Sequence, residues 1–330
     1  MTTAAGAGTA VLAPSGPFTV AVVQAAPVFL RRDETVEKAC DLIAQAAAQG
    51  ARLIVLPEAF VPAYPDWVWA VPPGEEGLLN ELYAELLDQS IALGDVATQR
   101  LGRAARAAKA TVVIGVNERN AGASGASLYN SALTIGEDGR VRAVHRKLIP
   151  TGGERLIWAR GEGSDLHVVD TPVGRVGTLI CWESYMPLAR YAMYAWGTEL
   201  YCAPTWDRGE PWLPTIRHIG KEGRAIVLSA CQALRKDDIP DHYEFKRRYY
   251  AGAGEWINAG DSAIVGPDGE FLAGPLHEAE GILTAEIDPA KLRGTKAMLD
   301  VAGHYSRPDI FRLTIDRSER PLVASAVPRD

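Results

Sequence analysis

Short apolar runs alternate with amphipathic stretches along most of the chain, and this alternation predicts strands and helices in turn. Continuous runs rich in branched residues predict strands at 18–24, 52–56, 111–116, 200–203, 226–230 and 282–287. Apolar residues spaced by three and four predict helices at 34–49, 99–108, 188–196 and 213–224.

Three turn signals each join two further apolar runs and predict hairpins. These turns lie at Asp138-Gly139 between 129–135 and 141–146, at Pro172-Val173-Gly174 between 166–169 and 176–180, and at Pro267-Asp268-Gly269 within 261–273. Strands that alternate with helices, together with antiparallel hairpins, indicate an α/β fold with a mixed sheet.

The two ends of the chain lack this patterning. The first 30 residues carry no charge, but they have no basic start and are interrupted by Pro14 and Pro17, so they predict neither a signal peptide nor a membrane span. We expect a flexible tail over 1–17, one domain over 18–316 and a second tail over 317–330.

Composition and charge narrow the function classes. The 330 residues are 47% hydrophobic and 23% charged, which is ordinary globular composition. A net charge of -7 without a basic stripe argues against a nucleic-acid partner. None of the four cysteines forms a CxxC pair, so we expect no metal site and a reducing, cytoplasmic location. Cys40, Cys202 and Cys231 lie in apolar patterns and are expected in the core.

Cys181 differs from the other cysteines because the apolar run 176–180 ends abruptly at it and a helical pattern follows. A thiol at such a strand-to-helix turn lies near a helix N-terminus, which favours the thiolate. Two other predicted strand ends carry reactive side chains, Glu58 and Lys147. Because sites in open α/β sheets lie beyond the carboxyl ends of the strands, we expect the three side chains to converge.

Several longer motifs contain these three residues. They are Leu56-Pro57-Glu58, His145-Arg146-Lys147-Leu148-Ile149-Pro150-Thr151 and Cys181-Trp182-Glu183, with Gly153-Glu154-Arg155-Leu156-Ile157-Trp158, Ala203-Pro204-Thr205-Trp206-Asp207 and Gly303-His304-Tyr305-Ser306-Arg307-Pro308-Asp309. With these motifs in this order, the chain resembles the nitrilase branch of the carbon–nitrogen hydrolase superfamily over about residues 18–316.

The resemblance implies a four-layer αββα sandwich with mixed sheets and hydrolysis of a nitrile to the carboxylic acid and ammonia. It places the catalytic triad on Glu58, Lys147 and Cys181, and a second glutamate on Glu154. It also implies a homodimer or larger oligomer paired through the helices at 188–196 and 213–224. No cofactor or membrane partner is expected.

The chemistry accounts for these residue types. A nitrile carbon is a weak electrophile, so it needs a nucleophile as strong as a cysteine thiolate. Glu58 can serve as acid and base in successive steps, and Lys147 can stabilise developing negative charge. We expect Glu154 to position Lys147 or the substrate, or to assist proton transfer.

Aromatic residues near these motifs predict a substrate pocket. We expect Tyr64, Trp182, Thr205 and Trp206 to line it. For Trp67 and Trp69, a position in the pocket and a position in the core are equally expected. An aromatic pocket favours an aryl or arylalkyl nitrile. Two departures from the family pattern, the stretch Trp158-Ala159-Arg160-Gly161-Glu162-Gly163 and Ser184, leave the substrate preference open.

Three alternative functions remain at this point. An amidase or carbamoylase of the same superfamily would use the same triad, and a close relative could hydrolyse cyanide. A non-catalytic assembly protein on the same fold is the alternative from another class, and the intact triad argues against it.

Overall fold

Two mixed β-sheets face each other in the centre of the molecule, and helices cover their outer faces. The computed structural model describes residues 16–320. The predicted tail over 1–17 therefore lies outside the described residues except for its last two positions, and so does the part of the second tail beyond residue 320.

The described strands follow the chain in this order. They are β1 (Phe18–Gln24), β2 (Ala51–Val55), β3 (Thr111–Arg119), β4 (Leu128–Ile135), β5 (Val141–Arg146), β6 (Val168–Thr171), β7 (Gly174–Thr178), β8 (Leu200–Thr205), β9 (Ile226–Cys231), β10 (Ala233–Arg235), β11 (Trp256–Val265), β12 (Phe271–His277) and β13 (Gly281–Ile287). The α-helices are α1 (Arg32–Ala48), α2 (Glu76–Asp88), α3 (Val96–Ala108), α4 (Pro187–Ala195), α5 (Gly209–Gly223), α6 (Glu244–Tyr249) and α7 (Pro289–Gly294).

Each sheet has a parallel centre with antiparallel strands outside it. The first sheet has the order β13-β1-β2-β3-β4-β5, in which β1, β2 and β3 run parallel. The second has the order β10-β11-β9-β8-β7-β6, with β12 paired to β11, and here β7, β8 and β9 run parallel. The parallel strands are buried on both faces, which accounts for their continuous apolar sequences.

Apolar side chains fill three interfaces between four layers. Val55 and Leu228 belong to the buried cluster between the two sheets. The outer face of the first sheet packs on α1 and α3, and the outer face of the second packs on α4 and α5. This arrangement confirms the expected αββα sandwich.

The predicted strands and hairpins are present, but β10, α2, α6 and α7 were not predicted. Only Leu82 and Leu86 of α2 are buried, so its apolar face is narrow. Its partners come from distant sequence, as in the hydrogen bond of 2.6 Å from the Tyr243 hydroxyl to Glu85 Oε1. None of the described helices is long and apolar enough to cross a membrane.

Candidate active site

The ends of β2, β5 and β7 bring Glu58, Lys147 and Cys181 into one buried group. Lys147 follows β5 directly, Glu58 lies three residues beyond β2, and Cys181 lies three residues beyond β7. Glu58 and Lys147 are buried, and Cys181 is only 4% exposed. The three side chains are therefore almost out of contact with bulk water.

Gly115 allows the loop that carries Glu58 to lie against β3. Its N–H donates to the carbonyl of Pro57 at 3.0 Å, and its own carbonyl accepts from Val61 N at 3.3 Å. A Cβ at position 115 would overlap the Pro57 carbonyl and the Ala59 nitrogen. A glycine in β3 is therefore needed for the loop to turn over the strand and direct Glu58 inward.

The Lys147 ammonium lies between two carboxylates. Its Nζ is 2.8 Å from Glu58 Oε1 and 2.8 Å from Glu154 Oε2. Burial alone would lower the pKa of Lys147, but the negative charges of Glu58 and Glu154 outweigh it, so its pKa lies above the ordinary value. The lysine is a fixed cation of the site.

Glu58 has one occupied and one free oxygen. Oε1 accepts from Lys147 and from Asn130 Nδ2 at 2.7 Å. Oε2 is buried and has no hydrogen-bond partner among residues 16–320. Burial raises the pKa of Glu58, although the charge of Lys147 opposes this. Oε2 is thus the oxygen available to exchange a proton with a reacting group.

Cys181 adopts a left-handed backbone conformation, with φ of 53°. Such a conformation in a residue with a Cβ costs about 1–3 kcal/mol and is held by the surrounding structure. Cys181 opens a 3₁₀ turn (Cys181–Tyr185), and α4 starts only at Pro187. The residue does not lie at the N-terminus of an α-helix.

The expectation of a thiolate stabilised by a helix N-terminus is therefore wrong. Burial and the charge of Glu58 raise the pKa of the Cys181 thiol, and the opposing charge of Lys147 does not compensate for them. A raised pKa keeps the thiol protonated at neutral pH, and the thiolate is the nucleophilic form of cysteine.

Every oxygen of Glu154 is engaged by the protein. Oε1 accepts from the Tyr64 hydroxyl at 2.7 Å, and Oε2 accepts from Thr151 N at 2.6 Å. Both oxygens also lie within 3.1 Å of Lys147 Nζ. Burial raises the pKa of Tyr64, so the phenol stays neutral and donates its proton. Glu154 holds Lys147 rather than presenting a free oxygen.

The predicted pocket residues occupy different positions. Trp206 stacks on Tyr64, with ring centroids 4.3 Å apart and planes 4° apart, and its Nε1 donates to Asp66 Oδ1 at 3.1 Å. Thr205 is buried at the end of β8, and its side chain lowers the pKa of the Cys181 thiol, against the larger effect of burial. These three residues form a wall next to the reactive groups.

Trp182 and the other two tryptophans lie elsewhere. Trp182 is 50% exposed and donates from Nε1 to Asp207 Oδ2 at 2.7 Å, so it lies at the surface beside the buried group. Trp67 is fully buried against Phe29 and Phe245 in the core. Trp69 is half-exposed, and its Nε1 donates a hydrogen bond of 3.1 Å to the Tyr64 hydroxyl.

Asn130, Gln232 and Glu183 contact the site but were not predicted. Asn130 orients Glu58, and Gln232 Nε2 donates to the backbone carbonyl of Glu58 at 2.7 Å. Both are polar residues within or beside apolar strand sequences, which is the signal that could have identified them. Among residues 16–320, no three His, Cys, Asp or Glu side chains are grouped so that they could hold a metal ion.

Known proteins resemble this chain in sequence and in structure. The family model described as carbon–nitrogen hydrolase matches residues 19–297. An aliphatic nitrilase of Sinorhizobium fredii is 43% identical over 93% of this chain and 98% of its own, and Nitrilase 1 of Arabidopsis thaliana is 38% identical over 94% and 90%. The structure of Saccharomyces cerevisiae Nit3, a member of the nitrilase superfamily, shares the fold with a TM-score of 0.67 and 20% identity over 88% of this chain and 97% of that one.

The sequence matches cover nearly the whole chain and also nearly the whole of each curated relative. The family match spans both sheets up to α7 and includes the loops that carry Glu58, Lys147 and Cys181. The chain therefore belongs to the carbon–nitrogen hydrolase family and, within it, to the nitrilases.

Proposed function

We propose that Cys181, Glu58, Lys147 and Glu154 together hydrolyse an organic nitrile to the carboxylic acid and ammonia. The observation that carries this assignment is the Lys147 ammonium held between two carboxylates, 2.8 Å from each, beside a buried thiol. One carboxylate oxygen, Glu58 Oε2, is left free to move protons. The reaction consumes two waters for each nitrile.

In the first step the Cys181 sulfur adds to the nitrile carbon. The thiol proton passes to Glu58 Oε2 and then to the nitrile nitrogen, which gives a thioimidate bound to the enzyme. An ammonium has three N–H donors, and Lys147 Nζ lies within 3.1 Å of Glu58 Oε1 and of both oxygens of Glu154. Lys147 therefore acts through its positive charge, which stabilises the negative charge that develops during addition.

In the second step water adds to the thioimidate carbon. The C–N bond breaks, and the nitrogen leaves as ammonia after it has received a proton from Glu58. A second water, deprotonated by Glu58, attacks the remaining thioester; the C–S bond breaks, and the acid and the free thiol are formed. Glu154 acts in both steps by holding Lys147 in place.

The wall formed by Tyr64, Thr205 and Trp206 supports an organic substrate with an apolar group. Trp206 is buried, at 7% exposed, and its indole N–H is already paired with Asp66, so the ring area that it presents to the site is apolar. We infer that the substituent of the nitrile packs on this ring. Trp182 lies at the surface, where a substrate that approaches the site can contact it.

A panel of substrates tests the assignment. Purified protein is incubated with aliphatic, aromatic and arylaliphatic nitriles, the matching amides and cyanide, and ammonia, acid and amide are measured. We expect acid and ammonia from nitriles and little reaction with amides, with Glu58→Gln inactive on all of them. Hydrolysis of amides alone would favour the amidase or carbamoylase alternative, and activity on cyanide alone would favour a cyanide-hydrolysing enzyme. No turnover of any compound would favour a non-catalytic protein.

We also propose that the protein forms a homo-oligomer through α4 and α5. Within α4, Met193 and Tyr194 are buried in their own subunit, so they do not supply the contact surface. Leu188 is 67% exposed instead, in a groove shared with Tyr305 and Phe311. Light scattering after size exclusion should give a molecular mass of at least twice 35.5 kDa, and the Leu188→Asp substitution should reduce this mass. A wild-type monomer would contradict the proposal.

The cysteines support a reducing compartment, and we infer the cytoplasm. All four lie within the described residues and are free thiols. Structural disulfides form in oxidising compartments, whereas a catalytic thiol must stay reduced to react.

A further inference from the structure

Glu183 is a buried carboxylate that takes no part in the proposed chemistry but joins the loops of two catalytic residues. Its Oε2 accepts from Ile180 N at 2.7 Å, and its Oε1 accepts from Leu148 N at 2.6 Å. Ile180 precedes Cys181, and Leu148 follows Lys147. One side chain therefore ties the loop after β7 in the second sheet to the loop after β5 in the first.

His145 completes this connection and supplies its countercharge. His145 Nε2 lies 2.8 Å from Glu183 Oε2, and Nδ1 lies 3.0 Å from the carbonyl of Asp165. A backbone carbonyl only accepts hydrogen bonds, so Nδ1 of His145 carries a hydrogen, and a second hydrogen on Nε2 makes the ring a cation paired with Glu183. Burial would lower the pKa of His145, but Glu183 and the Asp165 carbonyl raise it above its ordinary value.

The paired charges make the contact rigid. Both side chains are almost fully buried, with 4% of the His145 side chain exposed and none of Glu183. A buried carboxylate with its hydrogen bonds satisfied is hard to move, because any displacement leaves a charge or an amide without a partner. Cys181, in its left-handed conformation, depends on such support since it lies in neither a strand nor an α-helix.

We propose that Glu183 is a positioning residue that sets the distance between the Cys181 thiol and the Lys147 ammonium. The inference rests on the proposed function, in which Lys147 must reach the substrate attached to Cys181. A misplacement of about 1 Å between reacting groups costs on the order of 10²-fold in rate. The carboxylate acts through the two backbones and does not contact the substrate.

Glu183→Gln tests this role because it keeps the shape and removes one acceptor. A glutamine has one oxygen, so its NH₂ group must face the N–H of either Ile180 or Leu148 and release that loop. We expect kcat to fall about 10²-fold with KM within about threefold of wild type. Hydrogen exchange measured by mass spectrometry should rise in the peptides that contain residues 148 and 180, and stay unchanged in β1–β3.

Two further variants separate this role from a general loss of stability. Glu118→Gln is the matched control, since Glu118 is also buried and paired with a cation of β5, Arg146, but does not contact the Cys181 loop. We expect its kcat within about threefold of wild type. Glu183→Asp keeps the charge and shortens the reach by one methylene, so its kcat should also fall at least about tenfold; it carries the test if Glu183→Gln does not fold.

The outcomes are distinct. A Glu183→Gln kcat close to wild type would overturn the proposal, and so would an equal loss in Glu118→Gln or full activity in Glu183→Asp. If the wild type hydrolyses no nitrile, the proposed function is wrong, but the proposal for Glu183 can still be tested. Unchanged hydrogen exchange at residues 148 and 180 in Glu183→Gln would then overturn the link between the loops.

Discussion

Lys147 Nζ lies 2.8 Å from Glu58 Oε1, although β3 and β4 separate their strands in the sheet. Neighbouring strands are about 4.8 Å apart, so the ends of β2 and β5 are separated by about 14 Å. The contact exists because the loop after β2 turns over β3 and bonds to Gly115 and Asn117. The site therefore depends on this loop as much as on the strand ends.

Cys181→Ala should abolish turnover and leave the fold intact. Loss of the nucleophile removes the covalent route, and breaking a linked catalytic group costs at least about 10³-fold in kcat. Ammonia release and circular dichroism measure the two effects. Cys40→Ala, on α1 and outside the site, is the control and should keep full activity. Substantial turnover by Cys181→Ala would contradict the covalent mechanism.

Tyr64→Phe separates the hydroxyl contacts of this side chain from the contact of its ring. It removes the hydrogen bonds to Glu154 and from Trp69 and keeps the stack on Trp206. A lost hydrogen bond to a charged group costs about 1.5–3 kcal/mol, so we expect kcat to fall about 10-fold to 100-fold with KM little changed.

Trp206→Leu is the complementary change, because it removes the aromatic surface and keeps the Glu154 hydrogen bond. It should mainly raise KM for nitriles with large substituents. Steady-state kinetics on one small and one aromatic nitrile compare the two variants. Equal effects of both variants on kcat and KM would contradict the separate roles.

Glu154→Gln should raise the fraction of amide product, which we expect to be minor in the wild type. The tetrahedral intermediate carries sulfur and nitrogen on one carbon, and nitrogen leaves if it is held as ammonium. Removing a negative charge beside Lys147 makes the site more positive and disfavours that ammonium, so the thiol leaves more often. Each ~1.4 kcal/mol changes the ratio tenfold. Chromatography of the acid and amide formed from one nitrile measures the ratio. An unchanged ratio in Glu154→Gln would contradict this effect of the Glu154 charge.

On the acid side, the pH profile of kcat/KM should fall at a pH above the ordinary pKa of a glutamate side chain. Glu58 must be ionised to accept the thiol proton, so kcat/KM falls as pH decreases through the pKa of Glu58. Because burial raises that pKa, the limb should lie above about 4.3.

Lys147 adds no alkaline limb, because its pKa lies above the ordinary value of about 10.4. Initial rates across the pH range measure the profile, and a flat melting temperature over the same range is the control. An acid limb at or below the ordinary value would contradict the role of Glu58.

The order of most strands and helices, the layered fold and the convergence of Glu58, Lys147 and Cys181 could be predicted from the sequence. Apolar periodicity is a local property, so the runs that form β1 to β3 and β7 to β9 are visible without any tertiary contact. The strand ends at Glu58, Lys147 and Cys181 follow from the same runs, and the motifs around them carry the family resemblance.

Only the tertiary structure decided how these residues work. The free oxygen of Glu58 depends on Asn130, 72 positions away, and the protonated state of Cys181 depends on burial that outweighs nearby charge. The surface position of Trp182 and the link through Glu183 likewise depend on where distant loops meet. Hydrogen bonds and desolvation act over a few ångströms in space, and a linear pattern does not contain those distances.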